Sequence, residues 1–253
     1  MKRLGLLLLT GSLLVGQIII AQTKQLVQID SKQTKEVINL KYNNKNQLVY
    51  FDEKGVATYK EFTFKYDKST NILTECTMNQ DRGELIINYK YTYNGNTVTE
   101  EATSSGKQIK EKKIVDILDI HIDNKGRLTK TVFEDGKPWE QFDYDDNDNL
   151  VSYAQNSALD NGKKIVVSKY NNDKSAFLSI ESIPAWFWGW HINSMKWSSN
   201  FIGKNNPNEI ATEDPRFGSD TIEITYEYDT DGYPVKQFYN GELVREFTYK
   251  ITK

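Results

Sequence analysis

Histidine, cysteine, paired carboxylates and tryptophan are the side chains through which this chain could act on another molecule. Their spacing removes most of the options. The only histidines, His121 and His191, stand 70 residues apart, and neither has a second metal ligand at helical or zinc-type spacing. Cys76 is the single cysteine, so no disulfide forms within the chain. It lies in the strand-like stretch Leu73–Met78 and reads as a small buried residue, pairing with a second chain being the alternative. Adjacent acids such as Glu100–Glu101 and Asp145–Asp146 point to opposite faces of a strand. A glycosidase instead holds two carboxyls roughly 5–9.5 Å apart across a cleft, and nothing in the sequence selects such a pair. No glycine-rich phosphate loop, Gly-x-Ser-x-Gly or His-Glu-x-x-His is present. The expectation is a protein without enzymatic activity and without a cofactor.

Two groups remain. Asp145, Asn147 and Asn149 carry oxygens at alternate positions, as at the start of a calcium loop. The loop's glycine is replaced by Leu150 and its closing glutamate by Gln155, so turn formation is the competing reading. The second group is Trp186, Trp188, Trp190 and Trp197. Large aromatics form platforms for sugars or protein partners, but at helical spacing they more often build a core. On a helix Trp186, Trp190 and Trp197 share one face and Trp188 points elsewhere. Trp188 is therefore the better binding candidate of the four.

The elements that must position these residues come from repetition. A Tyr followed by Asp or Asn, a polar turn and an apolar residue recurs at Tyr42, Tyr66, Tyr93, Tyr144, Tyr170 and Tyr228, with Ile122-Asp123 as a variant. The first six of these positions, the variant included, lie 24, 27, 29, 22 and 26 residues apart. A second turn divides most units, for example Asp81-Arg82-Gly83, Asp135-Gly136 and Asn240-Gly241. Each unit thus holds two strands of about 7–9 residues, and Asx-Gly turns supply the positive φ of tight hairpins. Strands alternate: Phe62, Phe64 and Tyr66 against Thr63, Lys65 and Asp67, and Ile222, Ile224 and Tyr226 against Glu223 and Thr225. The pattern predicts a mainly β fold, a long antiparallel meander of twelve or more strands forming a curved sheet or partial barrel.

The pattern breaks once. Ile183, Trp186, Phe187, Trp190, Trp197 and Phe201 follow helical spacing. They predict one inserted helix near 183–203, with Ser182 as N-cap, Pro184 in the first turn and Gly203 as a left-handed C-terminal residue. A polar loop over 204–214 completes an insertion at 183–215. At the other end, Lys2 and Arg3 precede a largely apolar run from Leu4 to Ile20, and Ala21 leads into Gln22, Thr23 and Lys24. That order reads as a signal peptide over 1–21, leaving 22–253 as one β domain. The expected location is periplasmic, outer-surface or extracellular.

The Tyr-Asp units resemble, loosely, the YD repeats of Rhs-type bacterial proteins. A closer resemblance rests on Phe201-Ile202-Gly203-Lys204-Asn205-Asn206-Pro207 followed by Thr225-Tyr226-Glu227-Tyr228-Asp229-Thr230-Asp231-Gly232-Tyr233-Pro234-Val235. This order is similar to that of a secreted bacterial domain family of unknown function with a porin-like antiparallel sheet. The resemblance implies the sheet and no catalytic residue.

Charge limits the partners. The net charge is -3, and removing residues 1–21 takes away Lys2 and Arg3, leaving -5. Acids and bases are interspersed, so nucleic acid is not expected. No segment after residue 21 has the ~18 consecutive apolar residues of a membrane-spanning helix, and the polar strand margins do not suit a lipid-facing barrel. The expected function is a non-enzymatic exported protein binding a glycan or an envelope protein. The alternatives are a purely structural envelope protein and a hydrolase of surface polysaccharide.

Overall fold

The structure is a computed structural model. It describes residues 24–252 apart from 58, 108, 134, 156–162, 181, 191–202 and 215–217; the side chains of 110–116, 155, 163–168, 178 and 179 also lie outside the description. The proposed signal peptide falls outside the described residues.

Alternation and Asx turns produce sixteen strands. They are β1 (Lys24–Ser31), β2 (Glu36–Tyr42), β3 (Leu48–Lys54), β4 (Tyr59–Tyr66), β5 (Leu73–Gln80), β6 (Leu85–Asn94), β7 (Thr97–Gly106) and β8 (Ile109–Ile122), followed by β9 (Leu128–Phe133), β10 (Pro138–Tyr144), β11 (Leu150–Gln155), β12 (Lys163–Lys174), β13 (Asn205–Asp214), β14 (Gly218–Tyr228), β15 (Pro234–Tyr239) and β16 (Glu242–Ile251). Each pairs antiparallel with its neighbours in sequence. β1 also pairs with β16, from Lys24↔Ile251 to Ser31↔Arg245. The expected antiparallel meander is present, and this last ladder closes it into a ring.

The wall has an apolar inside and a polar outside. One row across six strands reads Leu40, Phe51, Phe62, Met78, Ile87, Ser104. All but Ile87 are buried, and Ile87 packs on the core. The adjacent row reads Lys41, Tyr50, Thr63, Thr77, Asn88, Thr103. Cross-strand ion pairs mark the outer face: Lys65–Glu75 at 2.6 Å, Lys169–Glu209 at 2.6 Å and Lys236–Glu227 at 2.8 Å. Such exposed pairs contribute little stability; their weight here is that they show which face meets water.

The Tyr-Asp repeat has a structural role at one rim. In Asn43, Asp123, Asp145 and Asp229 the side-chain Oδ1 accepts the backbone N–H groups two and four residues on. The residue three after the Asx takes a positive φ: Asn46 60°, Gly126 75°, Asp148 68°, Gly232 80°. Near this rim an inward-pointing tyrosine, directly before the turn in Tyr42, Tyr66, Tyr93 and Tyr170, donates its hydroxyl to a carbonyl near the start of the preceding strand; Tyr228, before its turn, instead accepts from the Asn171 and Asn206 amides. Tyr42 reaches Leu26, Tyr66 Leu48, Tyr93 Leu73, Tyr170 Leu150, Tyr226 Pro207 and Tyr249 Pro234, all at 2.7–2.9 Å. Here the strands of each hairpin have stopped pairing, so the phenol replaces a missing ladder bond.

One turn at that rim is replaced by a long excursion. Between Lys174 and Asn205, which face each other across β12 and β13, the chain makes a 3-10 turn at Ala176–Ser179 and a six-residue helix, α1 (Ala185–Trp190). The helix expected over 183–203 is therefore described only as far as Trp190; 191–202 lie outside the described residues. Three details differ from expectation. Ser182 does not cap α1 but accepts the N–H of Leu48 at 2.9 Å. Gly203 has no positive φ; a Cβ there would lie 3.1 Å from the Tyr170 ring, tighter than an ordinary contact. Residues 205–214, expected as a polar loop, form β13, whose long ladders with β12 and β14 outweigh its low apolar content.

Candidate functional site

α1 enters the barrel; its aromatics meet inward-facing side chains of four strands, and Gly189 lies against a fifth. Trp186 packs edge-on to Tyr91 at 5.0 Å and Tyr93 at 6.3 Å. Phe187 meets Phe64 at 5.4 Å, and Trp188 meets Phe51 at 6.4 Å. A Cβ on Gly189 would lie 3.1 Å from Leu128 Cδ2, so a larger residue there would press α1 against β9. The Trp190 indole N–H donates to Glu100 Oε1 at 3.1 Å.

This placement corrects one expectation. Trp188 is 3% exposed and Trp186 1%; Trp188 does not point away from the core. The helix lies inside a ring, so there is wall on more than one side and no solvent face for Trp188 to occupy. Trp190, assigned to the buried face, is only half-buried. Trp197 and His191 lie outside the described residues. The aromatic cluster packs against the inner wall, and the described tryptophans of α1 offer no open platform.

Other candidates also resolve into structure. The Asp145 carboxylate is engaged by its own turn: Oδ1 receives the N–H groups of Asn147 and Asn149, and Oδ2 the Asn149 amide at 3.3 Å. Asn149 is 3% exposed, and its Oδ1 also accepts the N–H of Asn205 at 3.1 Å. Among the described residues no group of three or more His, Cys, Asp or Glu side chains could hold a metal. Cys76 is fully buried, its thiol pushed well up by burial and by the nearby Glu100. It cannot meet a second chain while the barrel is folded. His121 is held below its ordinary value by partial burial and by Lys130.

Sequence reasoning missed two polar groups. Glu100 is 3% exposed inside the barrel, in register between Tyr91 and Leu118. The inward parity of Val98, Glu100 and Ala102 was its only signal. The second group lies on the outer wall, where Asp52 and Glu61 face each other across β3 and β4. The Tyr50 hydroxyl lies 3.0 Å from both carboxylates, and the Tyr59 hydroxyl donates to Glu61 at 2.7 Å. Burial raises the Asp52 carboxyl, but hydrogen bonds from Asn39, Lys54 and Tyr50 outweigh it and hold the group below its ordinary value. A glycosidase acid needs the opposite shift, in a cleft.

No family model matches the chain, and no curated protein does. Several solved structures are similar, among them two porin-like proteins. A porin-like protein from Bacteroides uniformis is 14% identical, over 91% of this chain and 98% of that one, with a TM-score of 0.49. A porin-like protein from Bacteroides vulgatus is 13% identical, over 90% and 99%, with a TM-score of 0.41. Both carry the porin-like description expected from the motif at 201–207 and 225–235, and neither is described as a YD-repeat protein. At these identities the likeness is one of chain course and says nothing about activity.

Proposed function

We propose that this protein is an exported, non-enzymatic β-barrel acting as a sealed scaffold at the cell envelope, bathed in water on its outside and offering its outer wall and rims to a glycan or protein partner. The observation that carries this reading is the inversion of polarity. A membrane barrel has an apolar outer band about 25 Å tall and a polar lumen. This barrel carries Lys41, Asp52, Glu61, Lys65 and Glu75 outside, and Phe51, Phe62, Phe64 and the α1 aromatics inside. No helix among the described residues is long and apolar enough to cross a membrane. Export rests on the basic and apolar order of residues 2–21. The burial of Trp186 and Trp188 favours a purely structural role over ligand capture on these tryptophans. The test is solubility without detergent together with planar-bilayer recording. The expected result is a soluble protein with no conductance; discrete channels, or extraction that requires detergent, would overturn it.

A further inference from the structure

A groove of about 640 Å³ opens at the tyrosine rim where β1 and β2 part, lined by residues of both faces of the wall. Their ladder begins only at Gln28↔Asn39. Toward the tyrosine rim each strand keeps its other partner: Gln25↔Lys250 on one side, Lys41↔Tyr50 on the other. The Tyr42 hydroxyl spans the gap to the Leu26 carbonyl, and Gln25 Nε2 donates to Asn46 Oδ1 at 3.2 Å. That leaves Gln25 Oε1 and Asn46 Nδ2 for a ligand. Val27 and the half-exposed Ile251 add aliphatic surface.

The groove gathers two lysines, Lys41 and Lys250, with no carboxylate beside them. None of its lining residues is acidic. Several lysines elsewhere on the wall meet carboxylates, among them Lys32, Lys65, Lys169 and Lys236. In the groove, Lys250 has no ion pair among the described residues, and Lys41 meets only the Tyr50 ring, 4.4 Å from its centroid. Two uncompensated cations, an amide donor and acceptor, and a short aliphatic strip on an acidic protein complement a carboxylated, hydroxyl-rich chain. An inserted peptide strand would need main-chain pairing, and the Leu26 carbonyl is already taken by Tyr42. We infer that this groove is a binding site for an acidic polysaccharide. The site is a gap between two strands at the rim, and its binding test reads nothing from conductance.

Calorimetric titration with oligogalacturonate tests it, against neutral dextran oligomers and poly-glutamate. Oligogalacturonate is expected to bind and dextran not to bind. The K41A/K250A double variant is expected to weaken binding by about tenfold or more, and Ile251→Trp, which fills the groove, to block it. The K65A/K169A double variant, whose lysines lie elsewhere on the wall, is expected to leave it unchanged. Absence of oligogalacturonate binding, equal loss in both double variants, or poly-glutamate binding as tightly would overturn the proposal.

Discussion

Replacing Tyr170 by Phe removes one oxygen and keeps the ring. The lost group donates to the Leu150 carbonyl at 2.7 Å, and Leu150 is fully buried. A neutral hydrogen bond contributes about 0.5–1.5 kcal/mol net, and a buried acceptor left unsatisfied costs about 1–3 kcal/mol. Partial water access at the rim places the expected loss at about 1–2 kcal/mol. Urea denaturation should show a lower midpoint with unchanged slope, because the surface exposed on unfolding is the same. Tyr42→Phe, on a different hairpin, should cost a similar amount, and the double variant should be additive within about 0.5 kcal/mol. Repeating the change at all six bonded tyrosines would remove about 6–12 kcal/mol, comparable with the whole stability of a typical domain. A loss below about 0.3 kcal/mol for each single variant would refute the idea that these phenols replace ladder bonds.

Four further outcomes follow from the same structure. Trp188→Ala should cost about 3–5 kcal/mol in thermal or urea unfolding, as for any buried tryptophan; an unchanged stability would place it outside the core. Gly106→Ala, where a Cβ would lie 2.3 Å from the Glu84 carbonyl at a φ of 151°, should be far more damaging than Gly95→Ala, which meets open space and loses only about 1–2 kcal/mol for its left-handed backbone. Alkaline pH should unfold the barrel: Tyr66 and Tyr228 are each pushed up to about 12 from 10.0, chiefly by burial. A raised folded value means stability is full below pH 10 and is lost as pH rises toward 12, so phenolate absorbance and unfolding should rise together. Calcium should leave the melting temperature unchanged, since the Asp145 carboxylate serves its turn; a clear upward shift would show a site.

Strands and rim turns were legible because both are local. Period-two alternation places Phe62 and Phe64 on one face whatever lies beyond, and an Asx side chain closes its turn with backbone groups two and four residues away. The tyrosine's role was not legible, because its acceptor lies 15–20 residues back across a splayed hairpin. Helical spacing located α1 but misjudged Trp188. A helical-face argument assumes one wall and one solvent side, whereas α1 has wall around it. β13 was missed because Asn205–Asp214 lacks alternation, and its pairing comes from β12 and β14. The groove was invisible for a related reason: Lys250 lies 225 residues from Gln25 and reaches it only once β1 has joined β16.

That last ladder also governs how the molecule can be made. Fifteen of the sixteen strand pairings join sequence neighbours and can zip in order as the chain emerges, with low entropy of loop closure. The sixteenth joins the first strand to the last. Until β16 is complete, β1 presents an open edge, the condition under which strands recruit other chains. The barrel therefore has one slow, non-local step at the end of many fast local ones. Its greatest exposure to misassembly falls in the interval when fifteen strands are present and the last is not.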